Sequence, residues 1–174
     1  MNQQDNTNPY LRVKRLHSSA IIPTKREEDA GFDLYAIYEE EYKILNSQEI
    51  WLAPTGISIE FSKNWVFLLH ERSSTGVKGI ARRAGVIDSG YRGEIKVAIQ
   101  NLTSKFLIFK SNVISEEEVL QKEQLNKDGV LFYPQQKAIA QGILMYSPHV
   151  EVEEVDELDL NSQRKDGGFG SSQK

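Results

Sequence analysis

Asp88 is the residue of this chain whose position most directly suggests chemistry. It lies in the run Gly85-Val86-Ile87-Asp88-Ser89-Gly90, Tyr91 follows three residues later, and an alternating apolar pattern begins at Glu94. A carboxylate fixed in a turn can accept a proton from a water molecule and hold that water beside a small cyclic ligand. The alternative is that Asp88 merely caps its own turn, as Asp commonly does.

A second set of residues has the donor chemistry of an anion site. The triplet Arg72-Ser73-Ser74 follows an apolar run, and guanidinium and hydroxyl groups are suited to phosphate. Asp33 stands between Phe32 and Leu34, so in a strand its carboxylate would point away from its apolar neighbours. A buried carboxylate needs a partner, and a simple salt bridge is the alternative to a functional role.

Two further segments carry polar or conformationally free residues. Gln141 ends the run Ile139-Ala140-Gln141, and the C-terminal stretch contains Gly167-Gly168-Phe169-Gly170-Ser171-Ser172 after Arg164. By composition this stretch is a mobile tail. The lone aromatic between glycines favours a lid instead, because glycines let the backbone approach a ligand and closure excludes water.

Five segments, taken in order, resemble the five motifs of the trimeric dUTP diphosphatases, or dUTPases, in particular phage-type members with an insertion. The resemblance spans residues 30 to 172, and five motifs in register are a far stronger signal than one. It implies an all-β, distorted jelly-roll β-barrel subunit in a homotrimer with shared active sites. It also implies Mg²⁺-dependent hydrolysis of dUTP to dUMP and pyrophosphate. The five segments are 30–36, 72–76, 85–94, 139–141 and 164–172.

The resemblance implies that the central hairpin binds the uracil ring and the sugar and positions the attacking water. Asp88 is then the catalytic base, and Tyr91 packs under the deoxyribose and leaves no space for a 2′-hydroxyl. The hairpin backbone, at Gly85 and Ile87, reads the edge of uracil. Such a pocket can reject the methyl group of thymine and the donor pattern of cytosine.

The remaining motifs are assigned to the triphosphate. Asp33 would help to organise a metal–triphosphate complex through water, and Gln141 would contact phosphate or the neighbouring motif. Mg²⁺ is expected because a triphosphate carries roughly four negative charges, and this ion prefers water and phosphate oxygens to an all-protein cage. The other expected contacts are Arg72, Ser73 and Ser74 with phosphate, Phe169 with the base, and Arg164, Gly170, Ser171 and Ser172 with the terminal phosphates.

Two motifs depart from the usual family pattern. Thr75 is polar where an apolar residue is common, and upstream of the fourth motif Gln136 and Ala138 replace a Gly and a basic residue. Lys137 is displaced by one position, so no basic contact is assigned there.

The chain is longer than the family norm at about residues 111–133, which leaves a second function open. Some phage members with comparable insertions also bind a bacterial repressor protein, so this segment could bind a protein partner. The alternative, a tolerated surface insertion, is favoured because loops accept insertions at small entropic cost. A third hypothesis is a dCTP deaminase, which shares the architecture but would need another acid/base group at the pyrimidine.

Composition excludes several classes of protein. The 174 residues carry a formal net charge of −4, which argues against a nucleic-acid binder, and the absence of Cys excludes disulfides and thiolate metal sites. The three His residues have no metal-ligand spacing. No apolar run approaches the roughly 20 residues of a membrane span, and residues 1–9 lack a signal-peptide core. A cytoplasmic protein (of the host, if phage-encoded) is expected.

Short apolar runs separated by turn residues predict many strands. Ile57, Ile59 and Phe61 alternate with polar residues, whereas 65–69 is a continuous apolar run typical of a strand buried on both faces. Turns are expected at 54–56, 62–64 and 88–90. Ser115 and Glu118 predict a capping box that opens one short helix. We expect a β domain over 1–160 and a flexible arm over 161–174.

Overall fold

The computed structural model describes residues 9–159 and 161, and this part of the chain is built mainly from strands. The predominantly β class predicted from the sequence is confirmed. The elements, in chain order, are β1 Leu11–Arg15, β2 Phe32–Leu34, β3 Tyr42–Leu45, β4 Ile50–Phe61, β5 Trp65–His70, α1 Ser73–Gly76, β6 Ile80–Arg83, β7 Val86–Asp88, β8 Glu94–Asn101, β9 Phe106–Lys110, α2 Glu116–Glu123, β10 Val130–Pro134 and β11 Ala140–Tyr146.

The strands form three sheets around one main core. Their orders are β1-β4-β8-β6, β10-β9-β3 and β2-β11-β5-β7. All neighbouring pairs are antiparallel except β9 and β10, which are parallel. Alternation along β8 buries Ile95, Val97 and Ile99 in this core, as the period-two pattern predicts.

The turn predicted at Pro54-Thr55-Gly56 is wrong, because β4 passes through this segment. The register against β8 shifts between Pro54 and Ser58, so the residues form a bulge. Gly56 has a φ of +67°, and a Cβ there would lie 2.7 Å from Ile37 Cδ1. The same residue types that predict a turn are therefore used to bend a long strand.

Strand β5 is buried on one face rather than on both. Phe67 and Leu69 are buried, whereas Val66 and Leu68 are half-buried. The ring of Phe67 packs against Gly142 of β11 so closely that a Cβ on Gly142 would lie 2.0 Å from it. The continuous apolar run thus indicated a strand correctly, but the burial of its second face was overestimated.

Helix α2 begins with the predicted capping box. Ser115 Oγ accepts from Glu118 N at 3.1 Å, and Glu118 Oε2 accepts from Ser115 N at 2.9 Å. The helix connects the parallel strands β9 and β10 and packs on their sheet through a second apolar cluster of Ile108, Ile114, Val119 and Val130. In the described part of the chain, no helix is long and apolar enough to cross a membrane.

Candidate functional site

A cavity of about 760 Å³ brings together residues from three of the predicted motifs. It lies where β2, β11 and the segment after β5 meet. The sequence predicted Asp33, Arg72, Ser73, Ser74 and Gln141 at one site, and all five line this cavity. The other lining residues are Thr24, Lys25, Arg26, Asp29, Ala30, Gly31 and Ile143.

Arg72 and Asp33 form an ion pair inside the cavity. Arg72 Nε lies 2.9 Å from Asp33 Oδ1, and its terminal nitrogen donates to Asp33 Oδ2 at 3.4 Å. The Asp33 carboxylate is therefore partnered, as its position between apolar residues requires. Its partner belongs to a second motif, so the salt bridge joins two motifs and does not exclude a functional role.

Thr75 explains why a polar residue is tolerated in the second motif. Its Oγ1 accepts from Arg72 N at 3.1 Å and donates to Arg72 O at 2.8 Å, and the side chain is buried. This pair of hydrogen bonds fixes the turn that presents Arg72, Ser73 and Ser74.

Tyr133 of β10 also supports Arg72. Its hydroxyl donates to Ala138 O at 2.7 Å, and Arg72 donates to the same carbonyl at 3.5 Å. Burial raises the pKa of the Tyr133 phenol, so the hydroxyl remains a donor at neutral pH. The end of the inserted segment is therefore connected to the cavity.

Gln141 is positioned by a hydrogen bond and by a close glycine contact. Its Nε2 donates to Glu71 O at 2.9 Å, and across the sheet it pairs with Asp33. A Cβ on Gly31 would lie 2.6 Å from Gln141 Oε1. Gly31 thus leaves room for the Gln141 side chain beside the start of β2.

The sequence did not single out the loop at residues 24–29, which forms one wall of the cavity. Arg26 makes a two-pronged ion pair with Asp29, at 2.9 and 3.1 Å. Lys25 Nζ donates to the carbonyl oxygens of Asp29, Arg26 and Glu27 at 2.8, 3.4 and 3.4 Å. The adjacent basic residues Lys25 and Arg26, just before the first motif, are the sequence feature that could have predicted this part of the anion site.

The hairpin that carries Asp88 lies at the other end of β5. Val66 pairs with Asp88, whereas His70 pairs with Gln141, and Arg72 follows His70. At about 3.3 Å per residue, the positions opposite Asp88 and Gln141 are roughly 13 Å apart along β5. Within the described residues, Asp88 does not line the cavity that holds Arg72.

The hairpin leaves its chemical groups accessible. Asp88 and Tyr91 are exposed, and Tyr91 Oη donates to Glu94 O at 3.0 Å. Over residues 9–159, the Asp88 carboxylate has no hydrogen-bond partner, so it does not cap its own turn. Strand β7 lies at the edge of its sheet. Leu69 N donates to Gly85 O at 2.8 Å, so the alternation of the ladder turns Ile87 towards Phe67 and turns the backbone of Val86 and the amide of Asp88 outward, where they can meet a ligand. The Asp88 carbonyl accepts from Tyr91 N at 3.0 Å within the turn.

Arg82 and Glu71 support this hairpin from behind. Glu71 Oε1 accepts from Arg82 N at 2.9 Å. Burial disfavours the Glu71 carboxylate, but this hydrogen bond and the charge of Arg82 outweigh it, so the pKa of Glu71 lies below its ordinary value. Gly85 has a φ of +134°, and a Cβ there would lie 2.5 Å from the Arg82 guanidinium. Gly85 thus allows Arg82 to pack under the start of β7.

Two further expectations concern the C-terminal motif and the metal site. Arg164, Phe169, Gly170, Ser171 and Ser172 lie outside the described residues. Among the residues that the structure describes, no group of three or more His, Cys, Asp or Glu side chains could hold a metal ion. Asp33 and Asp29 are the carboxylates of the cavity wall.

Comparison with protein families and curated proteins gives consistent matches. A family model described as dUTPase matches residues 17–115. The deoxyuridine 5'-triphosphate nucleotidohydrolase of Hydrogenobaculum sp. is 32% identical over 166 residues, which cover 93% of this chain and 96% of that protein. The protein of the same name from Nautilia profundicola is 33% identical over 168 residues, with coverage of 94% and 99%.

Solved structures give the same result. The dUTPase of Staphylococcus bacteriophage 80alpha, bound to dUPNHPP, has a TM-score of 0.73 at 26% identity and covers 95% of this chain and 99% of that one. A variant of the dUTPase from phage phi11 of S. aureus, described with a structural Mg(II) ion, has a TM-score of 0.66 at 22% identity, with coverage of 86% and 99%. The second likeness concerns the fold alone. The predicted jelly-roll class is confirmed.

Proposed function

Because this chain belongs to the dUTPase family, we propose that it hydrolyses dUTP to dUMP and pyrophosphate, which removes dUTP and supplies dUMP. The observation that carries this proposal is the cavity that joins Asp33, Arg72, Ser73, Ser74 and Gln141, together with an accessible Asp88.

The cavity is suited to the triphosphate. Arg72 offers a planar set of donors, and the Ser73 and Ser74 hydroxyls lie beside it on a turn held by Thr75. In the free chain Asp33 neutralises Arg72 and keeps its guanidinium in place. Gln141, fixed by its bond to Glu71 O, adds a neutral contact to the same wall.

Asp88 acts as the general base. Its carboxylate accepts a proton from a water molecule as the water oxygen forms a bond to the α-phosphorus. The bond from the α-phosphorus to the bridging oxygen breaks, and pyrophosphate leaves with the bonding electrons. The Asp88 carboxylate is exposed and has no hydrogen-bond partner among residues 9–159, so it is available for this proton transfer.

The hairpin selects the base and the sugar. The hairpin backbone at Gly85 and Ile87 reads the uracil edge, and Tyr91 packs under the deoxyribose. The donors and acceptors of the hairpin backbone are fixed in position. A nucleobase with a different hydrogen-bonding pattern is rejected, because buried polar groups would be left unpaired.

Mg²⁺ fits the cavity as an ion held mainly by phosphate. Asp33 would hold it through water, and when bound it would neutralise and orient the triphosphate.

The two halves of the site belong to different subunits of a homotrimer. In one chain, Asp88 and Arg72 lie at opposite ends of β5, and the positions opposite Asp88 and Gln141 are roughly 13 Å apart along this strand. A symmetric assembly resolves this if the hairpin of one subunit faces the cavity of its neighbour. The arm with Arg164, Phe169, Gly170, Ser171 and Ser172 would close over the bound nucleotide, with Phe169 on the base. We place this activity in the cytoplasm.

Pyrophosphate release from a panel of deoxynucleoside triphosphates and UTP tests the proposal. We expect kcat/KM for dUTP to exceed that for dCTP, dTTP and UTP by at least about 100-fold. Release of ammonia from dCTP would instead indicate a deaminase, and no turnover of any nucleotide would indicate a binding protein.

A further inference from the structure

Lys25, in the loop at residues 24–29, brings to the cavity a positive charge that the predicted motifs do not contain. Among the described residues, three cations line the cavity, and two of them are neutralised by neighbouring carboxylates. Arg72 pairs with Asp33 at 2.9 Å, and Arg26 pairs with Asp29 at 2.9 Å. Lys25 is different: within residues 9–159 it has no carboxylate partner.

Lys25 is nevertheless held in a defined position. Its ammonium group donates to Asp29 O at 2.8 Å and makes two longer contacts, both 3.4 Å, with Arg26 O and Glu27 O. It also lies 5.7 Å from the centre of the Phe32 ring, next to Asp33. Carbonyl groups and a ring orient the ammonium group but do not cancel its charge.

On the basis of the function proposed above, we propose that Lys25 is a further substrate-binding residue that recognises the polyphosphate. A triphosphate brings roughly four negative charges into a wall whose other cations are already paired. An ammonium group is a compact point charge with three donors, so the two long carbonyl contacts can be exchanged for phosphate oxygens while the short one remains.

This role predicts that the contribution of Lys25 to binding depends on the number of phosphates in the ligand. Lys25 should contribute to binding of the non-hydrolysable triphosphate analogue dUPNHPP much more than to binding of dUMP, which lacks the outer phosphates. Because Lys25 is exposed, its contribution should also weaken as ionic strength rises.

Titration calorimetry on the full-length Lys25→Gln, Lys25→Arg and Lys127→Gln variants tests the proposal. Lys25→Gln should bind dUPNHPP about 10-fold more weakly or worse, since one charge-assisted hydrogen bond is lost. Its affinity for dUMP should change little, and Lys25→Arg should restore most of the loss. Lys127→Gln is the matched control, because it removes the same charge on the inserted segment, away from the cavity.

Three results would overturn the proposal. They are wild-type affinity of Lys25→Gln for dUPNHPP, an equal loss for dUPNHPP and dUMP, and an equal loss in the Arg and Gln variants. The last two would mean that Lys25 only holds the loop. If the wild-type protein hydrolyses dUTP in any of these cases, the proposed function survives. A wild-type protein that does not hydrolyse dUTP refutes both.

Discussion

At the scale of single residues, the two charged groups central to the proposed reaction are held in opposite ways. Arg72 is held by an ion pair, by Thr75 and by the Ala138 carbonyl. Asp88 is exposed, and the described residues offer its carboxylate no hydrogen bond. This difference suits their roles, since a phosphate anchor gains from a fixed position and a base must remain free to take a proton.

The Asp88→Asn substitution tests whether Asp88 is the general base. It keeps the shape of the side chain but removes the proton acceptor, so kcat should fall by about 10²- to 10⁴-fold. Binding of dUPNHPP should be largely retained. Steady-state kinetics and calorimetry on the same preparation give both values. Asp128→Asn, on the exposed turn before β10, is the control, and near-normal turnover by Asp88→Asn would refute the base assignment.

At the scale of elements, the inserted segment is a folded unit and not a loose excursion. Strand β9, helix α2 and strand β10 form a parallel crossover, and α2 covers a small apolar cluster on this sheet. Lys122 of α2 pairs with Glu41 at 2.7 Å, which ties the helix to the segment before β3. Since Tyr133 of β10 contacts the Ala138 carbonyl beside Arg72, deleting residues 111–133 would disturb the cavity as well as the helix.

Point substitutions can test the packing of α2 without deleting the inserted segment. Val119 is fully buried, so Val119→Ala should lower the free energy of unfolding by about 2 kcal/mol. Val113 lies in the same segment but is 79% exposed, so Val113→Ala should change the free energy of unfolding very little. Urea unfolding followed by tryptophan fluorescence measures both. Equal effects of the two substitutions would mean that α2 does not pack as described.

At the scale of the whole molecule, the strand register places the two groups of motif residues at opposite ends of β5. Asp88 lies opposite Val66 and Gln141 lies opposite His70, so the two half-sites are roughly 13 Å apart along β5. In the homotrimer proposed above, the hairpin of one subunit would face the cavity of its neighbour.

Mixed trimers provide a direct test of this arrangement. Asp88→Asn and Arg72→Ala chains should each be inactive alone, because each damages one half of every site. When the two chains are co-expressed in equal amounts, about one quarter of the sites should combine an intact hairpin with an intact cavity. We therefore expect about a quarter of the wild-type kcat per site. Lack of recovered activity in verified mixed trimers would place both half-sites in one chain.

The sequence determined the local features of this protein. Apolar alternation located β8 and part of β4, and a continuous apolar run located β5. Ser115 and Glu118 predicted the start of α2, because these signals depend on neighbours within one turn or one strand. The motif residues Asp33, Arg72 and Gln141 were identified as one site, and the structure brings them together.

Only the tertiary structure decided the features that depend on distant contacts. It turned Pro54-Thr55-Gly56 into a bulge, paired Asp33 with Arg72 and placed Lys25 in the cavity wall. It also set Asp88 and Arg72 at opposite ends of β5. These outcomes follow from strand register and sheet packing, which join residues far apart in the chain and leave no periodic signal in it.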